Sequence, residues 1–286
     1  MFYARMFWAL KLLRPRQWVK NGFVVAPLIF SGYYLEPNKI SATILAVLFF
    51  CIASSATYIL NDILDVKKDR LHPKKSISRP IAAGHVSIKM AICMLIGMYT
   101  FIVSAWFFYT NLLNVIFAYL LLNIAYSFYL KHQPVLDIFT IAIGFVLRVY
   151  AGAVAIDVPL SSWMFITTLC LALYLAAIKR RQELKQSGTD GRKVLEKYTA
   201  SLVERYAEMS ATGALIFYSL FVLSSKPQLI STMPMVLFGL YRYWYVVEAK
   251  NGGESPTDAL LSDIQLIITI VAWASGCVWA LWPTSV

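Results

Sequence analysis

The densest set of possible metal ligands in this chain lies between Asn61 and Asp69, a stretch with three of the eight aspartates. Along a helix, a spacing of four residues advances about 400°, so Asn61, Asp65 and Asp69 fall on one face. Mg²⁺ prefers oxygen ligands and commonly links one or two carboxylates to a diphosphate. The spacing therefore predicts a magnesium site at these three residues, with Asp62 in a neighbouring role. The alternative is a solvated helix end whose acids offset nearby lysines.

Basic and aromatic side chains after this stretch suit a phosphorylated substrate. Arg79, next to Pro80, and Lys131 could offset the charge of a diphosphate. Tyr126 could donate a hydrogen bond to a phosphate oxygen or could anchor the chain at a membrane interface. We include these residues and Asp137, which follows Lys131 by six positions, among the candidate substrate-binding side chains.

Arg148 is the basic residue that lies furthest inside an apolar run. Gly144 and Gly152 stand four residues on either side, so its helical face is small and can approach a neighbouring helix or a cavity. An ionisable residue inside a membrane segment is a functional candidate by default. A phosphate ligand and a structural partner of a buried carbonyl both remain open for Arg148.

A second basic cluster, Lys179-Arg180-Arg181, has an acid at Glu183. Consecutive bases at a helix end could bind a phosphorylated sugar or a metal-bound diphosphate. The alternative is a polybasic patch at the membrane surface. Lys179, Arg180 and Glu183 are therefore candidate substrate-binding residues.

The elements that must position these side chains are membrane spans. Only 14% of the residues are charged and 59% are apolar or aromatic, which is not the composition of a soluble domain. The apolar runs do not alternate in polarity, which excludes an outer-membrane barrel. We expect a single all-α membrane domain over residues 1–286. The nine predicted spans are 19–35, 41–60, 88–109, 112–130, 135–156, 160–178, 208–224, 229–248 and 261–282.

The basic residues predict the orientation of these spans. If the N-terminus is cytoplasmic, 23 of the 26 Lys and Arg residues and 13 of the 15 acids lie on the inner side. Cytoplasmic loops of membrane proteins carry an excess of Lys and Arg. We therefore expect a multi-pass protein of the cell inner (cytoplasmic) membrane, with any chemistry at its cytoplasmic side.

The pattern of Asn61, Asp65 and Asp69 at a helix end, followed by Arg79-Pro80 and nine spans, resembles the UbiA superfamily of intramembrane prenyltransferases. The closer resemblance is to its decaprenyl-phosphate phosphoribosyltransferase branch. The stretches that carry it are Leu13 to Asn21, Tyr58 to Asp69, Leu130 to His132 with Pro134 to Asp137, Gly144 to Gly152 and Lys179 to Leu184. The segment Gly252 to Asp263 is similar as well. One departure concerns the loop after span six, where ordinary aromatic prenyltransferases carry a second aspartate-rich motif and this chain has Lys179-Arg180-Arg181.

The resemblance implies Mg²⁺-dependent transfer of a phosphoribosyl group from phosphoribosyl diphosphate to a polyprenyl phosphate. Asn61, Asp65 and Asp69 would hold the metal, while Lys20, Arg79, Lys131 and the Lys179 cluster would bind phosphates. The lipid phosphate is already ionised, so its attack on the ribose C1 needs no strong base. The polyprenyl tail would lie in a lipid-facing groove. No nucleic-acid partner is expected, and the oligomeric state is open.

Two other functions are compatible with the sequence. One is a UbiA-type transfer of a prenyl group from a prenyl diphosphate to an aromatic or other small acceptor, for which acids in place of the Lys-Arg-Arg run would be expected. The other is a transporter or lipid flippase, which predicts polar residues along several spans. The sequence contains no HExxH, GxGxxG or Walker motif, which disfavours hydrolases, Rossmann cofactors and ATP-driven pumps.

Overall fold

The computed structural model describes residues 2–73, 75–187, 193–249 and 256–282, and these residues form helices and connecting turns without a β-strand. Their α-helices are α1 (Phe2–Leu12), α2 (Ala26–Ser31), α3 (Pro37–Leu64), α4 (Val66–Leu71), α5 (Lys75–Ser78), α6 (Ile88–Trp106), α7 (Thr110–Phe128), α8 (Leu136–Ala155), α9 (Ser162–Ser187), α10 (Ala200–Ser225), α11 (Met233–Ala249), α12 (Pro256–Ser262) and α13 (Ile264–Ala280). The 3₁₀ segments are Pro15–Val25, Leu130–His132, Lys193–Lys197 and Pro227–Thr232.

Six helices of the described chain are long and apolar enough to cross a membrane, namely α3, α6, α7, α8, α9 and α10. They coincide with the six spans predicted between residues 41 and 224. Helix α13, with 17 residues, is a shorter apolar helix. The all-α, polytopic prediction is therefore confirmed, whereas nine crossings are not established by helix length alone.

The first predicted span, 19–35, differs from the expectation of one continuous α-helix. Its chain forms the 3₁₀ segment Pro15–Val25 and then the short α2, which ends where Gly32 adopts a φ of 85°. Pro27 lies in the first turn of α2, a position where a missing backbone N–H costs nothing. Because a 3₁₀ helix rises about 2 Å per residue, these two pieces together extend roughly 30 Å.

The last two predicted spans begin later than the apolar pattern indicates. The run 229–248 starts as the 3₁₀ segment Pro227–Thr232, and α11 begins only at Met233. The run 261–282 is interrupted at Asp263, whose side chain accepts a hydrogen bond from the Leu266 backbone N–H at 3.1 Å. This N-cap fixes the beginning of α13.

Helix α8 lies at the centre of the fold. It packs against α7, α9, α3 and the Pro15–Val25 segment, and α9 in turn packs along α10. In the most apolar stretch of α3 and of α8, 61% of the residues are buried. In α6 only 17% are buried, so α6 lies at the edge of the bundle. Packing around α8 brings together the ends of α3, α7 and α9 that carry the candidate residues.

A close backbone contact joins α8 to the 3₁₀ segment. At Gly152 a Cβ atom would overlap the Val24 carbonyl oxygen and come 2.9 Å from its carbon. Asn21, which is fully buried, accepts a hydrogen bond from Arg148 Nε at 2.9 Å and donates to Ser54 Oγ at 3.3 Å. Small residues allow such close approach in membrane helices.

Replacing Gly152 with alanine should therefore destabilise the protein. The new methyl group forces the Pro15–Val25 segment away from α8, and overpacking of this kind costs about 1–3 kcal/mol. Gly97→Ala is the matched control, because a Cβ there meets no atom within 4 Å. Thermal unfolding in detergent should show a lower midpoint for Gly152→Ala alone, and equal midpoints would contradict the packing described.

Candidate active site

A cluster of two acids and two arginines lies at the end of α3. Asp62 and Asp69 are both 2% exposed, and Arg79 Nη1 donates to Asp62 Oδ1 at 2.5 Å and to Asp69 Oδ2 at 2.8 Å. Arg14 also pairs with Asp62, and Lys75 Nζ lies 3.8 Å from Asp69 Oδ1. We call Asp62, Asp69, Arg14 and Arg79 the aspartate–arginine cluster.

The backbone explains how two acids seven residues apart meet at Arg79. Helix α3 ends at Leu64, and Asp65 forms the junction with α4. The junction keeps the helical spacing, because the Asp65 N–H bonds the Asn61 carbonyl at 2.9 Å and the Asp69 N–H bonds the Asp65 carbonyl at 2.8 Å. Asp62 and Asp69 therefore lie on nearly the same face, about two turns apart.

The predicted metal ligands have different surroundings. Asn61 Oδ1 accepts a hydrogen bond from Ser127 Oγ at 2.6 Å, whereas the Asp65 side chain is 39% exposed and lies 3.9 Å from Lys131 Nζ. Asp69 is buried in the aspartate–arginine cluster. Among the residues that the structure describes, no three His, Cys, Asp or Glu side chains form a preformed metal cage.

The chemistry of these side chains nevertheless fits Mg²⁺. Asp62 Oδ2 is buried and has no hydrogen-bond partner within the described residues. A buried carboxylate oxygen without a partner is costly, and a cation would satisfy it. Mg²⁺ typically takes one or two carboxylates and completes its shell with water and substrate phosphate. The carboxylates of Asp62, Asp65 and Asp69 and the amide of Asn61 are therefore oxygen donors of the kind that Mg²⁺ takes.

A second cluster surrounds Arg180, which is fully buried together with Asp137. Arg180 Nε donates to Asp137 Oδ2 at 2.5 Å, Nη1 to Glu183 Oε2 at 2.5 Å and Nη2 to Tyr126 Oη at 3.0 Å. Tyr198 Oη donates to Asp137 Oδ1 at 2.7 Å. We call Arg180, Asp137, Glu183, Tyr126 and Tyr198 the Arg180 cluster.

The Arg180 cluster is closed on itself. Each of the three guanidinium nitrogens already has a partner within the cluster, which favours a structural role for Arg180, and its predicted contact with substrate stays a prediction. Burial and the hydrogen bond to the Asp137 carboxylate raise the pKa of Tyr198, which keeps its hydroxyl protonated at neutral pH. The neighbouring Lys179 Nζ lies 3.9 Å from Glu183 Oε1 at the border of the cluster.

Arg148 is held by α8 and its neighbours. In addition to Asn21, it donates from Nη1 to the Gly144 carbonyl at 2.7 Å and from Nη2 to Tyr119 Oη at 3.1 Å. Its guanidinium carbon lies 4.8 Å from the Tyr119 ring centre. These contacts favour the structural role over the phosphate-binding role for Arg148.

Two cations retain capacity for a ligand. Lys20 has no hydrogen bond or ion pair with any residue in the described ranges. Arg79 uses only Nη1 for its two carboxylates, and its other guanidinium nitrogens have no partner in the described part of the chain. Both side chains are therefore available to an anion.

Arg14 and Tyr198 are the two residues of these clusters that the sequence did not identify. Arg14 lies in the Leu13 to Asn21 stretch, but a basic residue before the first span is equally well explained by topology. Tyr198 lies 61 residues from its partner Asp137, so no local spacing could have indicated the pair. Only helix packing brings them together.

The similarities to known proteins agree with this arrangement. Residues 24–262 match the UbiA prenyltransferase family. The decaprenyl-phosphate phosphoribosyltransferase of Mycolicibacterium smegmatis is 37% identical, with 92% of this chain and 89% of that protein covered. The Corynebacterium glutamicum protein of the same name is 35% identical over 96% of this chain and 86% of its own length.

Solved structures give the same fold. A UbiA homolog from Archaeoglobus fulgidus bound to GPP and Mg²⁺ superposes with a TM-score of 0.70 at 17% identity, covering 95% of this chain and 98% of that one. At 17% identity this similarity shows the fold alone. Together with the family match over most of the chain, it identifies this protein as a polytopic membrane transferase that belongs to the UbiA prenyltransferase family.

Proposed function

We propose that this protein transfers a 5-phosphoribosyl group from phosphoribosyl diphosphate to a polyprenyl phosphate of the decaprenyl type. The observation that carries the proposal is the 35–37% identity, across about nine tenths of the chain, to relatives named decaprenyl-phosphate phosphoribosyltransferase. The product would be a lipid-linked phosphoribose, a precursor of arabinose-type donors. One membrane domain would carry the whole reaction.

The placement of both clusters supports a single site on the cytoplasmic side. Asp62 lies at the C-terminal end of α3 and Tyr126 at that of α7, while Asp137 lies in the first turn of α8. Arg180 lies near the end of α9 and contacts both Tyr126 and Asp137. These ends share one side of the bundle, and their loops carry most of the Lys and Arg residues, as cytoplasmic loops do.

The chain's own residues would bind and orient the two substrates. Lys131 and Arg79, which lie beside acids of the site, would hold phosphate oxygens together with Lys20. Asp62, Asp65, Asp69 and Asn61 would hold Mg²⁺. When bound, Mg²⁺ would offset the charge of the leaving diphosphate.

Bond changes in this reaction need little acid–base help. The bond from the ribose C1 to the diphosphate oxygen breaks, and a lipid phosphate oxygen forms the new bond to C1. Because the lipid phosphate is ionised at neutral pH, no side chain has to remove a proton from it. The clusters contain no histidine, which agrees with this requirement. The apolar helices would accommodate the polyprenyl tail.

Purified protein in detergent with Mg²⁺, phosphoribosyl diphosphate and a polyprenyl phosphate tests the proposal. We expect release of diphosphate and a lipid heavier by one phosphoribosyl unit, both lost on addition of EDTA and restored by excess Mg²⁺. Mass spectrometry of the lipid gives the answer. Turnover of a prenyl diphosphate with an aromatic acceptor instead would replace the proposal with prenyl transfer.

Asp65→Asn should lower turnover by at least about two orders of magnitude, because it removes one of the charges that would hold the metal against the leaving group. Asp65 is half-exposed, so the variant should fold normally. Asp157→Asn is the matched control, since Asp157 is exposed and its φ of 53° suits asparagine. Diphosphate release measures both variants, and equal rates would remove Asp65 from the site.

The Arg180→Met variant should be less stable than the wild-type protein, and its substrate binding should change little. Removing one partner of a buried ion pair leaves Asp137 uncompensated, which costs about 3–5 kcal/mol. The exposed Arg205→Met variant controls for the loss of an arginine. Thermal unfolding and the KM for phosphoribosyl diphosphate separate the two roles: a normal midpoint with a raised KM would favour a direct contact with substrate.

A further inference from the structure

The turn that precedes α8 has a backbone conformation that needs external support. Val135 has a φ of 67° and a ψ of −47°, and the Leu136 N–H bonds the Pro134 carbonyl at 2.8 Å. This is a three-residue γ-turn of the positive-φ type, which is rare and strained. A β-branched residue such as valine is especially disfavoured there. Conformations of this kind persist only where the surrounding structure holds them, and they concentrate at functional sites.

Tyr198 provides the support. The Val135 N–H donates to Tyr198 Oη at 2.6 Å, and the same hydroxyl donates to Asp137 Oδ1 at 2.7 Å. Tyr198 is 6% exposed and packs in a hydrophobic cluster with Tyr174, so its ring has little freedom. Asp137 is fixed in turn by Arg180. The hydroxyl therefore bridges the strained turn and the buried Arg180 cluster.

The turn also determines where Lys131 lies. Lys131 belongs to the short 3₁₀ segment Leu130–His132, four residues before Val135. The connection is hydrogen-bonded throughout: the Gln133 N–H bonds the Leu130 carbonyl and the Asp137 N–H bonds the Gln133 carbonyl, each at 3.1 Å. At its other end, Lys131 Nζ reaches to 3.9 Å from Asp65 Oδ1. A change in the turn would therefore move Lys131 relative to Asp65.

We propose that Tyr198 is a positioning residue, whose hydroxyl holds the Val135 turn so that Lys131 meets the diphosphate of the donor beside Asp65. This inference rests on the proposed function. Tyr198 touches neither substrate in this account. It acts through the loop between α7 and α8, and it couples the Arg180 cluster to the position of Lys131 beside Asp65.

Tyr198→Phe tests the inference, because it keeps the ring and removes only the bridging hydroxyl. We expect the KM for phosphoribosyl diphosphate to rise about 5- to 30-fold, the range that corresponds to one or two kcal/mol. Tyr174→Phe is the matched control: Tyr174 lies in the same hydrophobic cluster, and the variant loses a hydroxyl bond of 3.1 Å to the Leu240 carbonyl, which is not part of the turn. Its donor KM should stay at the wild-type value.

A double-mutant cycle separates positioning from a general loss of stability. In a Lys131→Met background, Tyr198→Phe should add little further increase to the donor KM, because its effect passes through Lys131. Amide hydrogen exchange over residues 129–137 should be faster in Tyr198→Phe than in Tyr174→Phe, with or without substrate.

The outcomes distinguish this inference from the proposed function. A wild-type protein that transfers no phosphoribosyl group would overturn the proposed function. An active wild-type protein beside a Tyr198→Phe variant with unchanged donor KM and unchanged exchange would overturn only the role of Tyr198. Additive effects of Lys131→Met and Tyr198→Phe would also overturn it, because the two side chains would then act independently.

Discussion

The ion pairs of Arg79 with Asp62 and Asp69 are the interaction on which the site depends most. They join the end of α3, the helix α4 and the loop after α5, three segments that also share a hydrophobic cluster containing Ile59, Val66 and Ile81. Charges removed from water at the end of a membrane helix are stable only when they are paired. The arginine thus permits two buried carboxylates to lie side by side at the end of α3, where we propose that Mg²⁺ binds.

The two clusters divide the work of the site. In the Arg180 cluster each of the three guanidinium nitrogens of Arg180 donates to another member of the cluster, so this cluster acts as a rigid frame between α7, α8 and α9. The aspartate–arginine cluster is less complete, since one oxygen of Asp62 and two nitrogens of Arg79 have no partner among the residues that the structure describes. We therefore expect the substrate to bind where polar groups are still available, next to the aspartate–arginine cluster. Lys131, which follows α7, lies beside Asp65 at this position.

Much of this arrangement could be predicted from the sequence, and the rest depends on tertiary packing. The stretch Asn61 to Asp69 and six long helices follow from local spacing and hydropathy, which act over one or a few turns. Arg180 and Asp137 are 43 residues apart, so local spacing could not indicate their pairing. This pairing favours a structural role for Arg180, which the sequence presents as a candidate phosphate ligand. The 19–35 run is apolar enough for a span, but apolarity does not distinguish a 3₁₀ segment from an α-helix.

We expect the diphosphate to bind next to the aspartate–arginine cluster, between Asp65 and Lys131, while the Arg180 cluster remains closed. An electron cryomicroscopy structure with phosphoribosyl diphosphate and Mg²⁺ bound tests it most directly. We expect density for the diphosphate between Asp65 and Lys131, with Arg180 still paired to Asp137. Density for the diphosphate on Arg180, with the pair to Asp137 broken, would contradict the account.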